Sequence, residues 1–364
     1  MQCVEPYEPE INKYENLLVV DGAVSNIPGS AYLKLTKTSP YNNPKKIYVN
    51  AAKVTLIDNL GNETHFLNST NGKYAPGDPQ FCGTIGRSYK IRIETANGQI
   101  CESEFEEMKQ PIALDSVKYV FKDGATDEEK GLMILLDVNN TENLNTYFYW
   151  EYTETWEIEA PFLSSFKPNS TICYKIYTPP VFNIYSTGSS SRKQIIDYPL
   201  FFINNTTNRL YRKYSVIVTQ HTLNERTYTF YHDLKDINED KGSLFDTAPV
   251  TLIGNINNLS NPVQPVLGNF QVSGSATQRI FITNDEIKSK LNVPSGYEKC
   301  ELKYGGLLTD GAMLDSLIKA GWTVFDKSFN NAANDTILSL TNYRGCCDCT
   351  KDGTNVKPDY WDNE

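Results

Sequence analysis

The chain has 364 residues, 40% hydrophobic and 21% charged, with a formal net charge of −10 and only three histidines. That length suits two domains, each able to bury a core without metals. The basic residues form no cluster longer than Lys45-Lys46 or Arg212-Lys213, which excludes the electrostatic footprint of a nucleic-acid partner. No run of about 18 apolar residues is present, so no transmembrane helix is expected. With 23 Tyr and 16 Phe among long Thr, Ile and Val stretches, the composition favours strands, whose half-buried surfaces suit such side chains.

Residues 1–15 read as an acidic, Pro-stiffened tether, Cys3 being followed by Val4-Glu5-Pro6-Tyr7-Glu8-Pro9-Glu10. Residues 16–108 then alternate. Leu33 and Leu35 oppose Lys34 and Thr36, Val54 and Leu56 repeat the pattern, and Tyr89, Ile91 and Ile93 oppose Lys90, Arg92 and Glu94. Period two with one polar face describes strands on a single core. The turn signals Asn71-Gly72, Gly77-Asp78-Pro79 and Asn97-Gly98 separate them. About seven short strands at this spacing imply an immunoglobulin-like or transthyretin-like β-sandwich.

Pro111 marks a boundary, and residues 114–364 read as a larger β-rich domain with two or three short helices. Strands are expected over 117–122, 131–138, 146–157, 171–178, 197–203, 211–220, 266–273 and 277–283. Tyr214, Val216 and Val218 alternate with Ser215, Ile217 and Thr219; two partly apolar faces make that strand central. Thr222-Leu223-Asn224-Glu225 fits a capping box opening a helix whose apolar face carries Leu223, Phe230, Leu234 and Ile237. A short helix is expected after Thr283-Asn284-Asp285-Glu286, and another from Asp310 to Ala320, stopped by Gly321. Turn formers from Gly242 to Pro249 and on to Pro262 imply a long surface loop, and Ser186 to Ser191 a loop tip.

Eight cysteines are unevenly placed. Cys346, Cys347 and Cys349 crowd the tail, where adjacent thiols fit one zinc tetrahedron poorly, so no metal site is expected. A disulfide framework joining the tail to Cys173 and Cys300 is the better account, and Cys82, just before one late strand, and Cys101, opening the next, are another candidate pair that would join neighbouring strands. Cys3 suits a lipid-modified amino end. If it is acylated, seven cysteines remain and one lacks an intramolecular partner. Met1-Gln2 opens no signal peptide. Either the protein stays in the cytosol or this is a mature form with a start codon added, and the clustered cysteines favour the second.

The segment Tyr149 to Glu159 is aromatic and acidic. Alternation puts Trp150, Tyr152, Glu154 and Trp156 on one face, a possible glycan or peptide platform, and Glu151, Thr153, Thr155 and Glu157 on a solvated face opposite. His221 and His232 are assigned surface or cap roles, since three helical turns would separate them by about 16 Å. No recognised catalytic or nucleotide-binding motif occurs. No cofactor is expected.

Several segments together carry a resemblance: Leu18-Val19-Val20-Asp21-Gly22, Trp150-Glu151-Tyr152 with Thr155-Trp156, Gly242 to Asp246 with Pro249 and Gly254-Asn255-Ile256, Val266 to Phe270, and Cys346-Cys347-Asp348-Cys349 with Gly353 to Trp361. In this set, running from about residue 3 to residue 361, the chain resembles an uncharacterised, domain-of-unknown-function family of outer-membrane lipoproteins from Bacteroidota-type bacteria. Its members are commonly encoded beside TonB-dependent receptors of the starch-utilisation kind. The resemblance implies lipidation at Cys3, a surface-exposed outer-membrane location and a TonB-dependent receptor as partner. It brings no catalytic residues, and Cys82 and Cys101 fall outside it. The resulting expectation is a non-enzymatic lipoprotein serving nutrient capture or scaffolding an outer-membrane complex. The alternatives are an extracellular glycan- or peptide-acting hydrolase, or an adhesin.

Overall fold

The computed structural model describes residues 16–40, 45–140, 146–181, 183–188, 193–239, 252–307, 311–330 and 335–362. The tether with Cys3, the Ser189–Ser191 tract and the Gly242–Pro249 loop lie outside the described residues. The chain is mainly β, with a few short helices.

The first region runs through β1 (Leu18–Ser25), β2 (Tyr32–Lys37), β3 (Ile47–Tyr48), β4 (Ala52–Asp58), β5 (Glu63–Asn68), β6 (Lys73–Pro76), β7 (Ser88–Thr95), β8 (Ile100–Ser103) and β9 (Glu106–Glu107). Leu33, Leu35, Val54, Leu56, Ile91 and Ile93 all turn inward and form its core, as their alternation requires. Then follow β10 (Leu114–Lys122), β11 (Gly131–Val138), β12 (Tyr147–Glu159), β13 (Ile172–Tyr177), β14 (Asn183–Ser186), β15 (Ile195–Asn204), β16 (Lys213–Leu223), α1 (Glu225–Glu239), β17 (Ile256–Asn258) and β18 (Leu267–Thr283). The chain continues through α2 (Asn284–Ile287), β19 (Leu302–Leu307), α3 (Gly311–Lys319), β20 (Thr323–Asn330) and β21 (Asp335–Thr341).

One strand joins the two regions. The segments 266–273 and 277–283, expected as separate strands, form the single 17-residue β18. Its first half pairs in parallel with β1, from Val19↔Leu267 to Ser25↔Ser273. Its second half pairs antiparallel with β16, from Thr222↔Gly274 to Lys213↔Thr283. β17 also pairs back onto β8, so Ile256, Val266, Phe270 and Val272 complete the core of the first region. A parallel β1–β18 pair needs a crossover, and here the intervening chain carries β2 to β17.

Gly274 sits where β18 passes from its pairing with β1 to its pairing with β16. It reads as a break in sequence, yet its function is close approach: a Cβ there would lie 2.0 Å from the Lys109 carbonyl oxygen and 2.8 Å from the Pro111 nitrogen. The neighbour is backbone and cannot swing aside. Gly274→Ala is therefore expected to lose about 1–3 kcal/mol, as overpacking does; urea unfolding would measure it, and an unchanged midpoint would refute the packing account.

The sheet β10–β11–β15 packs over one face of β12, β16 and the end of β18. Leu132, Ile134 and Leu136 meet Phe148, Trp150, Val216, Val218 and Ile282 in this second core. β16 is central, as its two-sided apolar pattern implies, lying between β12 and β18.

The expected capping box at Thr222 does not form. Thr222 and Leu223 stay in β16, where Thr222 pairs with Phe148 and Gly274 and its Oγ1 accepts the Ile112 amide at 3.3 Å. Sheet pairing on both sides outweighs the local cap. Glu286 makes the reciprocal contacts at α2, accepting from the Thr283 amide at 2.6 Å and hydroxyl at 2.8 Å. Helix α3 occupies the expected stretch, with Gly321 following at φ +89°.

Disulfides Cys173–Cys349 and Cys300–Cys346 hold the tail. Cys347, also a disulfide candidate, is a buried free thiol that donates to the Arg344 carbonyl at 3.3 Å, and burial pushes its pKa up to about 11. Cys82 and Cys101 are not bonded. The alternation of β8 turns Cys101 fully into the first core, whereas Cys82 is exposed on the loop before β7; their side chains face different environments.

Asp348 is buried beside Cys347 and accepts from Lys167 Nζ at 2.7 Å and Arg344 Nε at 3.2 Å. Burial opposes its ionisation, but the bonds from Lys167, Thr350 and Arg344 prevail and lower its pKa to about 2. A depressed folded-state pKa stabilises above the unfolded value near 4 and loses that stabilisation as pH falls towards 2. Wild type is expected to lose up to about 2 kcal/mol more than Asp348→Asn between pH 5 and pH 2. Parallel acid denaturation curves for the two proteins would contradict this.

Candidate ligand-binding cavity

Strands β12, β16, β18, β1 and β2 are successive neighbours in one sheet. Their even-numbered residues in β1, β12 and β18 feed the two cores: Val20 and Phe270 the first, Trp150 the second. The odd-numbered positions of those strands, with His221 of β16, face the other way, and α1 lies across them. Between helix and sheet is a cavity of about 770 Å³, within the range of small-molecule sites.

α1 is held there by a polar hub around Glu106. Its carboxylate accepts from Asn255 Nδ2 at 2.9 Å, Thr227 Oγ1 at 3.2 Å and Asn224 Nδ2 at 3.3 Å. Burial raises the Glu106 pKa while these three donors pull it back. Asn255 also grips β18, donating to the Phe270 carbonyl at 2.7 Å and accepting its amide at 2.9 Å. The start of the helix, the end of the first region and β18 thus share one set of hydrogen bonds.

The aromatic part of the cavity comes from Tyr32, Tyr149, Phe230 and Tyr231. Tyr149 stacks on His221 with centroids 5.5 Å apart and meets Tyr231 at 5.3 Å. Tyr231 donates to Gln271 Oε1 at 2.9 Å, and Gln271 Nε2 donates to Ser273 Oγ at 2.8 Å. Buried His221 bonds through Nδ1 to Ser275 Oγ at 2.7 Å and through Nε2 to Glu151 Oε1 at 3.4 Å. Burial tends to raise the Glu151 pKa, but His221 outweighs it and holds the carboxyl below the usual range. Asp21, the second carboxylate of the lining, accepts from the Tyr32 hydroxyl at 3.0 Å. Burial, followed by the charges of Glu151 and Asp21, pushes the Tyr149 phenol well above its ordinary pKa.

One polar atom is left over. Asn269 is 4% exposed and lines the cavity. Its Nδ2 donates to Thr227 Oγ1 at 3.3 Å, but its Oδ1 has no partner among the described residues. Thr227 gives its own proton to Glu106, so it can only accept from Asn269, which fixes the free atom as the acceptor.

The aromatic platform expected from Trp150, Tyr152 and Trp156 lies on the other side of β12. Trp150 is fully buried, donates to Gln220 Oε1 at 2.8 Å and packs 4.6 Å from the Tyr198 ring. Tyr152 stacks on Phe201 at 3.9 Å, and Trp156 is half-buried against the second core. Sheet β10–β11–β15 covers that face, so these rings are core. The supposedly solvated face supplies Tyr149 and Glu151 to the cavity. His221, assigned to the surface or a cap, is a buried strand residue; His232 is exposed on α1 and pairs with Asp236 at 3.1 Å.

Sequence comparison matches residues 4–279 to a family described as a domain of unknown function (DUF4249). The chain belongs to the DUF4249 family. No curated protein matches it. Among solved structures, a tetra-tandem repeat from the extending region of a large adhesion protein covers 74% of this DUF4249 chain and 75% of its own, at 10% identity and a TM-score of 0.17. So loose a superposition supports no argument about fold or role.

Within this DUF4249 protein, segments that carry the resemblance meet at the cavity wall. Asp21 and Gly22 of β1 pair with Asn269 and Phe270 of β18. Asn255 bonds to Phe270, and Glu151 joins them from β12. Backbone approach is close: a Cβ on Gly268 would lie 1.9 Å from the Val20 carbonyl oxygen, at a φ of +90° that favours glycine.

Proposed function

We propose that the protein is a non-enzymatic, lipid-anchored outer-membrane component that works beside a TonB-dependent receptor and retains a small nutrient molecule in the cavity under α1. The observation that carries this reading is the cavity itself, a ready-made recess with aromatic walls and a few convergent polar atoms. The two disulfides agree with life outside a reducing compartment. The resemblance supplies the receptor and the acyl chain on Cys3. One acyl chain anchors only marginally, so further chains or the receptor itself would secure residence.

Purification of the native protein from outer membranes tests the proposal. Recovery of a barrel receptor with it, and an acylated Cys3 by mass spectrometry, are the expected results. Isolation from the soluble fraction, alone and unacylated, would overturn it.

A second reading, hydrolysis, draws on the presence of both Asp21 and Glu151 in the lining. Glycoside hydrolysis requires one carboxyl held protonated, and Glu151 is shifted in the opposite direction. Turnover of a polysaccharide by the purified chain, abolished in Glu151→Gln, would favour hydrolysis over retention.

A further inference from the structure

We propose that the cavity under α1 selects an organic cation, a protonated amine carried on an apolar body. The inference rests on the reading of this cavity as a ligand site and adds the class of ligand. Three features converge. Among the described residues the lining holds two carboxylates, Asp21 and Glu151, the second already bonded by His221, and no Lys or Arg. It presents the rings of Tyr32, Tyr149 and Tyr231, whose faces attract a cation. And the buried Asn269 Oδ1 lacks a donor among the described residues, which an N–H group would provide.

The unpaired oxygen discriminates among ligands. A buried acceptor without a partner is unfavourable, and a ligand that satisfies it recovers that loss. A carboxylate ligand would bring a third negative charge and no donor. A neutral alcohol could donate one hydrogen bond but would gain nothing from the carboxylates or the ring faces. A protonated amine offers three donors and a charge. Leu17, Val19, Leu234 and Leu267 give the apolar body its contact.

The test uses the purified full chain and three probes of one shape: 2-phenylethylammonium, 2-phenylethanol and 3-phenylpropionate, titrated by calorimetry or ligand-observed NMR. The ammonium is expected to bind at least about tenfold more tightly than the alcohol, with no detectable binding of the carboxylate. Asn269→Leu should weaken the ammonium about tenfold or more while leaving the alcohol within about threefold. Should that core variant fail to fold, Asp21→Asn tests the carboxylate contribution at an exposed position, with a weakening of about threefold or more for the ammonium alone. No binding of the ammonium, equal affinity for the alcohol, or preference for the carboxylate would overturn the inference. Those outcomes are separate from receptor association: a protein co-isolating with a barrel but indifferent to the amine sinks this inference alone.

Discussion

Arg209→Ala is expected to destabilise the protein by about 3–5 kcal/mol, because it strands a carboxylate in the second core. Glu154 is 1% exposed, and its Oε2 accepts from Arg209 Nη1 at 2.8 Å and from the Tyr214 hydroxyl at 2.8 Å. Tyr214 is itself fully buried, and the nearby carboxylate adds to the burial that raises its pKa. Without Arg209 the carboxylate keeps, among the described residues, one neutral donor and no countercharge. Desolvation of an unpaired charge exceeds what one hydroxyl returns. The double variant Arg209→Met with Glu154→Leu should recover most of the loss, since apolar residues of similar size replace a buried ion pair without leaving a charge. Equilibrium unfolding in urea distinguishes the outcomes. A single variant within about 1 kcal/mol of wild type, or a double variant as unstable as the single, would contradict the pairing account.

That carboxylate also shows where sequence reading succeeds and where it stops. Alternation in Leu33, Leu35, Ile91 and Ile93 identified core positions because one face of each strand is polar and the other apolar, and the first core uses that contrast. β12 offers no such contrast. Trp150, Tyr152 and Glu154 alternate with Tyr149, Glu151 and Thr153, so both faces mix rings with polar groups. A strand with two mixed faces does not say which one a second sheet will cover, and choosing between them moves every side chain to the other side. The same ambiguity hid β18. Asn269, Gln271, Ser273 and Ser275 look like a solvated face, and only α1, placed over them by Glu106, Asn224 and Thr227, turns that face into a cavity wall. Its anchors are separated by more than a hundred residues in the chain, a distance that local periodicity does not span. One signal was present: polar residues every second position in a strand whose other face, Phe270 and Val272, is wholly buried. His221, next to an expected helix start, was misplaced for a related reason, because β-pairing on both sides of β16 carried the strand through the apparent capping box.

The tail was legible as a disulfide framework but its pairing was not, since spacing alone leaves connectivity open. Separating Cys173 from Cys349 is expected to rank with Arg209→Ala among the largest effects. The bond spans 176 residues, and chain-entropy arguments assign a loop of that length about 5 kcal/mol, against about 4 kcal/mol for the 46-residue separation of Cys300–Cys346. Strained or partly ordered reference states reduce such figures, so about 2–5 kcal/mol is the expected loss for Cys173→Ser with Cys349→Ser. The consequence is also local. Cys173 and Cys349 pack with Ile158 and Ala160 in a small core at the edge of β12. From there the tail runs on to Trp361, 3% exposed, whose carbonyl accepts from Lys213 Nζ at 2.9 Å. The ring of Tyr360 lies 3.6 Å from the Arg279 guanidinium, and its hydroxyl is 2.9 Å from Thr155 Oγ1. These contacts fix the last turn of chain across β12, β16 and β18, so cutting the bond should expose the tail to proteases before the rest unfolds. Cys347→Ala, which removes only the free thiol, should stay within about 1 kcal/mol of wild type. Peptide mapping under non-reducing conditions would decide the matter: a bridge to Cys347, or a Cys173/Cys349 variant as stable and protease-resistant as the parent, is incompatible with the framework described.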